Sequence, residues 1–284
     1  MSTNSQSDYF IDTESAAEMA RLIQQDMMIT RKMGGPLAEQ ADPSSFSTVL
    51  DLGCGPGGWV LDVAFACPDA EVAGIDISKT MTSYGNARAS SQGLHNASFE
   101  VMDITKPLAF SDQTFDLVNG RLLVGSLHRT AWSQMIQECF RITRPGGVMR
   151  MTELDTSGVT TSPAYNYLDT LLVKATWLTG LGFSRDGRTT CMTPMLPTLL
   201  RNAGYQDIQH RPHAFDFSAG TDIHMDFYRD YEVFFKLALP FLVSVGVATQ
   251  EEVDRAYQQM LIEMLSDDFK GMWYLLTVWG KKPE

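Results

Sequence analysis

The segment Val49-Leu-Asp-Leu-Gly-Cys-Gly-Pro-Gly-Gly58 sets spaced glycines between an apolar run and a helical pattern. Residues 48–52 read as a short buried strand and 57–66 as a helix, so the glycines fall where a first strand turns into a first helix. Glycine lets the backbone approach a ligand with no Cβ in the way, and the helix start that follows offers unpaired N–H groups. Gly53, Gly55 and Gly58 also satisfy GxGxxG, the dinucleotide fingerprint, with Asp76 18 residues beyond Gly58. A nicotinamide- or flavin-binding fold is one reading of that pattern.

Outward from this turn, strand and helix patterns alternate. Strands are expected at 71–75, 99–102, 115–119 and 148–152, and helices at 78–92 and 132–142. Such alternation over a hundred residues means βαβ units and a parallel sheet covered on both faces. Upstream, Ala16, Met19, Ala20, Ile23 and Met27 recur at helical spacing over residues 13–32, before Gly34-Gly-Pro36 and a polar linker at 37–45. Downstream, helices are expected at 162–181, 193–203, 221–246 and 249–266, the last opened by a Thr249/Glu252 capping box. Residues 205–217 and 272–279 read as extended. The expected organisation is an N-terminal helical lid segment (1–46), a cofactor-binding core (47–155), and a C-terminal part (156–284) carrying the last strands with helical cap insertions at 156–190 and 219–268.

Composition narrows the function classes. In 284 residues, 22 Lys and Arg stand against 34 Asp and Glu, a net charge of −12 with no dense basic patch. Binding to nucleic acid through a basic face is not expected. Hydrophobic residues at 44% and charged residues at 20% fit a globular chain with a sizeable core. The longest apolar run, 233–248, is broken by Lys236, Pro240 and Ser244 and is too short for a bilayer span. Residues 1–8 are polar and lack a leader pattern, so the chain reads as cytoplasmic. Cys54, Cys67, Cys139 and Cys191 have no paired spacing, and no metal site is expected. A homodimer is compatible with the sequence.

The acids around the glycine turn discriminate between ligands. Asp51 lies inside the first strand, where a pyrophosphate would be repelled and an ammonium attracted. Asp76 ends the second strand and suits ribose hydroxyls; Asp103 follows the third and suits an adenine amino group. A cationic ligand with ribose and adenine but no phosphate is S-adenosylmethionine. Residues 47–155 resemble the class I S-adenosylmethionine-dependent methyltransferases, in the branch that includes quinone-biosynthesis and natural-product enzymes. The matching stretches are 49–58, Gly74-Ile-Asp-Ile-Ser78, Met102-Asp-Ile104, Phe115-Asp-Leu-Val118 and Arg144-Pro-Gly-Gly147. The resemblance implies a Rossmann-like, seven-stranded, mostly parallel α/β sheet with its last strand antiparallel. It also implies Asp51, Gly53 and Gly55 around the methionine portion, Asp76 with Ile77 at the ribose, Asp103 with Ile104 at adenine, and Asn119 near the sulfonium.

The expected partner is a small, largely apolar or aromatic acceptor that takes the methyl group on O, N or C. His128 and Glu153 fall on the carboxyl edge of the sheet, where ligands bind, and are candidate bases; helix capping is the alternative for each. The stripe His224, Phe227, Tyr228 and Tyr231, continued by Phe234, has helical spacing and either lines a substrate pocket or fills plain core. Arg21, Gln25 and Met33 on the N-terminal helix are placed to close over the cofactor. An NAD(P)-dependent oxidoreductase and a non-catalytic protein retaining S-adenosylmethionine are the competing readings.

Overall fold

The computed structural model describes residues 9–284; residues 1–8, read above as a polar start without a leader pattern, lie outside the described residues. A helix, α1 (Ala16–Met33), is capped by the Ser15 side chain and stopped at Gly34 in the left-handed conformation. It precedes an alternating core: β1 (Thr48–Leu52), α2 (Gly58–Ala66), β2 (Glu71–Asp76), α3 (Lys79–Gln92), β3 (Ala97–Val101), β4 (Phe115–Arg121), α4 (Trp132–Ile142) and β5 (Thr143–Glu153). The remainder is β6 (Val159–Thr160), α5 (Pro163–Leu178), α6 (Leu196–Ala203), β7 (Gln206–Asp216), α7 (His224–Val245), α8 (Gln250–Met264) and β8 (Gly271–Lys281).

The sheet order is β3-β2-β1-β4-β5-β8, with β7 paired to the far side of β8. β1 to β5 are parallel, and β8 runs antiparallel to both β5 and β7. The expected seven strands are present, and two-residue β6, paired to Gly271 and Met272, makes an eighth. Val49, Leu50 and Leu52 are almost fully buried, as a central strand with helices on both faces requires. One core layer packs Trp59, Val60 and Val63 of α2 on one face; another packs Trp132, Met135 and Ile136 of α4 on the opposite face. A third, under α5, α7 and α8, gathers Tyr165, Phe217, Phe227 and Phe235.

Four details depart from the sequence reading. The helix expected to 181 ends at Leu178, and β5 begins at Thr143, so Arg144-Pro-Gly-Gly147 lies within the strand as a register irregularity opposite Phe115 and Leu117. The linker at 37–45 is anchored: it holds a 3₁₀ turn, Pro43–Ser45, and buries Glu39. The apolar stripe chosen for α1 faces outward, with Met27 56% exposed, while Glu18, Arg21 and Asp26 on the polar face are buried. Among the described residues no helix is long and apolar enough to cross a membrane.

Candidate active site

The chain steps outward from β1 to β3 and returns to β4, which creates a switch point at the carboxyl ends of β1 and β4. Open α/β sheets bind ligands in such crevices. A cavity of about 750 Å³ lies there. Its floor is the strand ends and the glycine turn, and its roof is built from α1, α5 and α7.

At the floor, Gly53 adopts φ +59°, a conformation strained for residues with a Cβ, and a Cβ on it would press Leu123 Cδ2 at 2.7 Å. Asp76 accepts from the N–H groups of Gly55 (2.9 Å) and Ser78 (2.8 Å), which ties the end of β2 to the glycine turn. Burial raises its pKa, opposed by those same N–H groups. Asp103 accepts from the N–H and hydroxyl of Thr105 at 2.9 and 2.6 Å. Asp51, Gly53, Gly55, Asp76, Ile77, Asp103 and Ile104 all line the cavity.

Asp51 is 5% exposed, and burial pushes its carboxyl up to about 7, against the opposing pull of Asn119 and two arginines. Three paired positions on adjacent strands hold it: Asp51 on β1, Asn119 on β4 and Arg150 on β5. Asn119 Nδ2 donates to Asp51 Oδ1 at 2.7 Å, and an Arg150 N–H donates to Asn119 Oδ1 at 2.6 Å. Arg150 also forms a buried 2.5 Å ion pair with Glu39. Burial favours the neutral Glu39 carboxyl, but Arg150 more than offsets this and its pKa ends below the usual value.

Polar groups reach the cavity from the roof as well. Arg21 donates to Glu18 (2.7 and 2.8 Å) and, across to α7, to Asp230 (2.9 Å). Gln25 also donates to Asp230, at 3.0 Å. Asp26 pairs with Arg121 at the end of β4 and lies directly over Gly58, where any side chain would collide with its carboxylate. Among the described lining residues, six carboxylates (Glu18, Asp26, Asp51, Asp76, Asp103, Asp169) stand against three cations (Arg21, Lys106, Arg121). The cavity favours a positively charged ligand.

Other expected residues stand elsewhere. His128 is not among the residues that line the cavity: its ring bonds Thr130 Oγ1 at 2.7 Å and packs under Gly180. Glu153 is fully buried and accepts from the N–H groups of Leu123 (2.6 Å) and Val124 (3.4 Å). It thereby holds the turn in which Leu122, at φ +58°, takes a left-handed conformation, and burial raises its carboxyl to about 8. Asn119 is also fully buried and meets the cavity only through Asp51. The aromatic stripe divides: Tyr231 and Phe234 line the cavity, whereas Phe227 stacks on Phe217 at 4.4 Å and Tyr228 packs against the same core. His224 bonds the Phe217 carbonyl at 2.9 Å. Arg21 and Gln25 line the cavity, and Met33 lies in the core.

The sequence reading missed Asp26, Arg121, Glu39, Arg150 and Asp169. Asp169 had a legible signal, because it interrupts the apolar face Tyr165, Leu168, Leu172 of α5. Arg150 had another, a charge inside an otherwise apolar strand.

Residues 49–147 match a family model described as a methyltransferase domain. The secondary metabolism regulator laeA of Monascus pilosus is 33% identical over 107 residues, 37% of this chain and 26% of that protein. Demethylmenaquinone methyltransferase of Geobacillus kaustophilus is 28% identical over 190 residues, 60% of this chain and 75% of that protein. The chain spans 26% and 41% of the lengths of the first two curated relatives it matches. Among solved structures, Haemonchus contortus phosphoethanolamine N-methyltransferase 2 in complex with S-adenosyl-L-methionine has a TM-score of 0.54 at 15% identity, covering 95% of this chain and 57% of that one. At that identity the likeness is one of fold.

Proposed function

We propose that this chain, whose residues 49–147 match a methyltransferase-domain family model, is a class I S-adenosylmethionine-dependent enzyme that moves the sulfonium methyl group to a small, largely apolar or aromatic metabolite. One observation carries this reading: a single cavity joins an acidic floor at the strand ends to a mainly apolar half under the roof. Its volume of about 750 Å³ lies high in the roughly 300–1,000 Å³ typical of small-molecule sites. That leaves space for a nucleoside-sized cofactor and a second small molecule.

The floor suits the cofactor group by group. Asp51 would pair with the ammonium, and the backbone at Gly53 and Gly55 would lie along the methionine portion. Asp76 would accept from the ribose hydroxyls with Ile77 beside it, and Asp103 from the adenine amino group with Ile104 against the ring. Asn119 contributes by orienting Asp51. When bound, the cofactor supplies an electrophilic methyl group on a positively charged sulfur. The protein aligns the acceptor with that methyl and keeps water out; alignment is the larger part of catalysis for an intrinsically reactive group. The acidic lining attracts the cation and loses that attraction once the sulfur is neutral, which favours exchange of product for fresh cofactor.

The name of the Monascus relative puts that protein in secondary metabolism, and a natural-product acceptor is part of this proposal. Calorimetric titration with S-adenosylmethionine, S-adenosylhomocysteine and NADH tests it. Both sulfur nucleosides are expected to bind and NADH not. Binding of NADH without binding of S-adenosylmethionine would reject the reading in favour of an oxidoreductase.

A further inference from the structure

The half of the cavity over β5 and β8 is roofed by α5 and α7, and most polar groups there are already engaged. Tyr165 and Tyr231 both donate their hydroxyls to the Ser157 carbonyl. The Thr176 and Thr190 hydroxyls donate to backbone carbonyls of Val173 and Leu154. Arg21 is held between Glu18 and Asp230. Asp169 is different. It lines the cavity, is 8% exposed, and forms no ion pair among the described residues. It accepts from the Ser157 N–H at 2.8 Å, and the Ser157 hydroxyl is its other polar neighbour. A carboxylate buried on an apolar helix face without a cation is costly to keep, so its presence calls for a use.

We infer that Asp169 takes the acceptor's proton during methyl transfer, and hence that the acceptor presents a hydroxyl, phenolic or enolic, on a small apolar body. This rests on the reading of the cavity given above. The acceptor oxygen forms its bond to the methyl carbon as the carbon–sulfur bond breaks, with that electron pair staying on sulfur. The O–H pair remains on oxygen and the proton passes to the Asp169 carboxylate. Carboxylate and sulfonium are both neutralised, so the step creates no new charge in a site shielded from water. A neutral hydroxyl also enters between Leu172, Val173 and Phe234 without shedding the hydration that an ammonium carries.

Burial pushes the Asp169 carboxyl up to about 6, resisted by the Ser157 N–H and hydroxyl, so near neutrality it is ionised and still basic enough to accept a proton. The titratable groups that feel its charge are Tyr165 on its own helix and Tyr231 on α7, and the same two tyrosines also feel Asp230.

The test uses the full chain loaded with S-adenosylhomocysteine and titrated with matched probes: 2-naphthol, 2-methoxynaphthalene and 2-naphthylamine, then phenol, anisole and aniline. Asp169→Asn keeps the side chain's size and an oxygen for the Ser157 N–H, so a purely structural role survives it. In the unsubstituted protein a hydroxyl probe is expected to bind about tenfold tighter than its ether, the worth of one net hydrogen bond to a charged group. That preference disappears in Asp169→Asn, with S-adenosylhomocysteine affinity unchanged and the thermal midpoint no lower, since the variant removes a charge that burial disfavours. Methyl transfer from S-adenosylmethionine to the preferred hydroxyl falls at least about 100-fold, the scale of a lost general base. The inference is overturned if no hydroxyl outbinds its ether, if the preference persists in Asp169→Asn, or if the amine binds best. Failure of S-adenosylhomocysteine to bind at all removes the cofactor reading, and this inference with it.

Discussion

Asn119 faces Asp51 across the β1–β4 pair, and because Arg150 occupies the amide oxygen of Asn119, only its NH₂ group is left to offer Asp51. Asp51 is therefore held by a chain of contacts that crosses three strands and ends at Glu39, outside the glycine turn. Such a carboxylate is oriented before any ligand arrives, which is what preorganised recognition of a cation requires.

That arrangement makes stability depend on pH in a definite direction. The folded value of Asp51, about 7, lies above the unfolded value of about 4. Between them the folded state binds more protons, so the contribution is complete below pH 4 and is lost as pH rises through 7. Asp51→Asn keeps an oxygen for Asn119 and removes the titration. Its thermal midpoint is expected to match the unsubstituted protein at pH 4 and to exceed it by a margin that grows to a plateau above pH 7. The margin scales as about 1.4 kcal/mol per pKa unit. Melting curves at pH 4 to 8 check this; a pH-independent margin contradicts it. The same variant is expected to lose affinity for S-adenosylmethionine at pH 8.

Asp76 joins the end of β2 to the glycine turn and is assigned to the ribose. Asp76→Ala is expected to weaken S-adenosylmethionine binding by about 1.5–3 kcal/mol, the worth of a charge-assisted hydrogen bond. Calorimetry measures it directly. Unchanged affinity removes Asp76 from the cofactor.

Glu153 is expected to act on the fold rather than on the chemistry. Glu153→Ala orphans two buried N–H groups beneath the left-handed Leu122, each worth about 1–3 kcal/mol. Glu153→Gln, which still accepts, is expected to recover most of that loss in urea unfolding. Burial raises this carboxyl to about 8, above its unfolded value, so the unsubstituted protein loses stability as pH rises from 5 to 8 and the Glu153→Gln variant does not. The balance between the two is therefore expected to move toward Glu153→Gln across that range. Equal stability of the Ala and Gln variants would reject the assignment.

Arg21 ties α1 to α7 in the roof. Arg21→Met strands two buried carboxylates and is expected to cost about 3–5 kcal/mol, seen as a lower urea midpoint. Adding Glu18→Gln and Asp230→Asn is expected to restore much of it. No recovery in the triple variant would show that the arginine's packing, not its charge, holds the roof.

How far the sequence speaks follows from which interactions are local. The strand–glycine–helix turn, and the acids ending β2 and following β3, are legible because strand ends define the binding edge and each signal spans a few residues. His128 and Glu153 lie near the same edge, but which way a side chain turns there depends on Thr130, Gly180 and Leu123, which no short pattern encodes. For α1, hydrophobic periodicity selects the wrong face: the buried side mixes Glu18, Arg21 and Asp26 with Met28, Ile29 and Met33, because charged groups as well as apolar ones meet the cavity and α7. The stripe 224–235 divides within one helix because its first turns meet Phe217 while Tyr231 and Phe234 meet the cavity. Asp169, Asp26 and Arg150 gain meaning only when distant segments meet, as Arg150 does with Glu39, 111 residues away.

The position of β8 bears on how the molecule is made. β8 lies between β5 and β7, so β7 has no sheet edge to join until residues 271–281 have left the ribosome. Trp273 of that strand closes the cavity wall and packs against Phe215 and Phe227. During synthesis the glycine turn and first strands can assemble early, while β7 and the roof helices wait with their apolar faces uncovered. A chain ending before residue 271 would hold the five parallel strands and the cavity floor but lack the partner of β7 and the Trp273 wall.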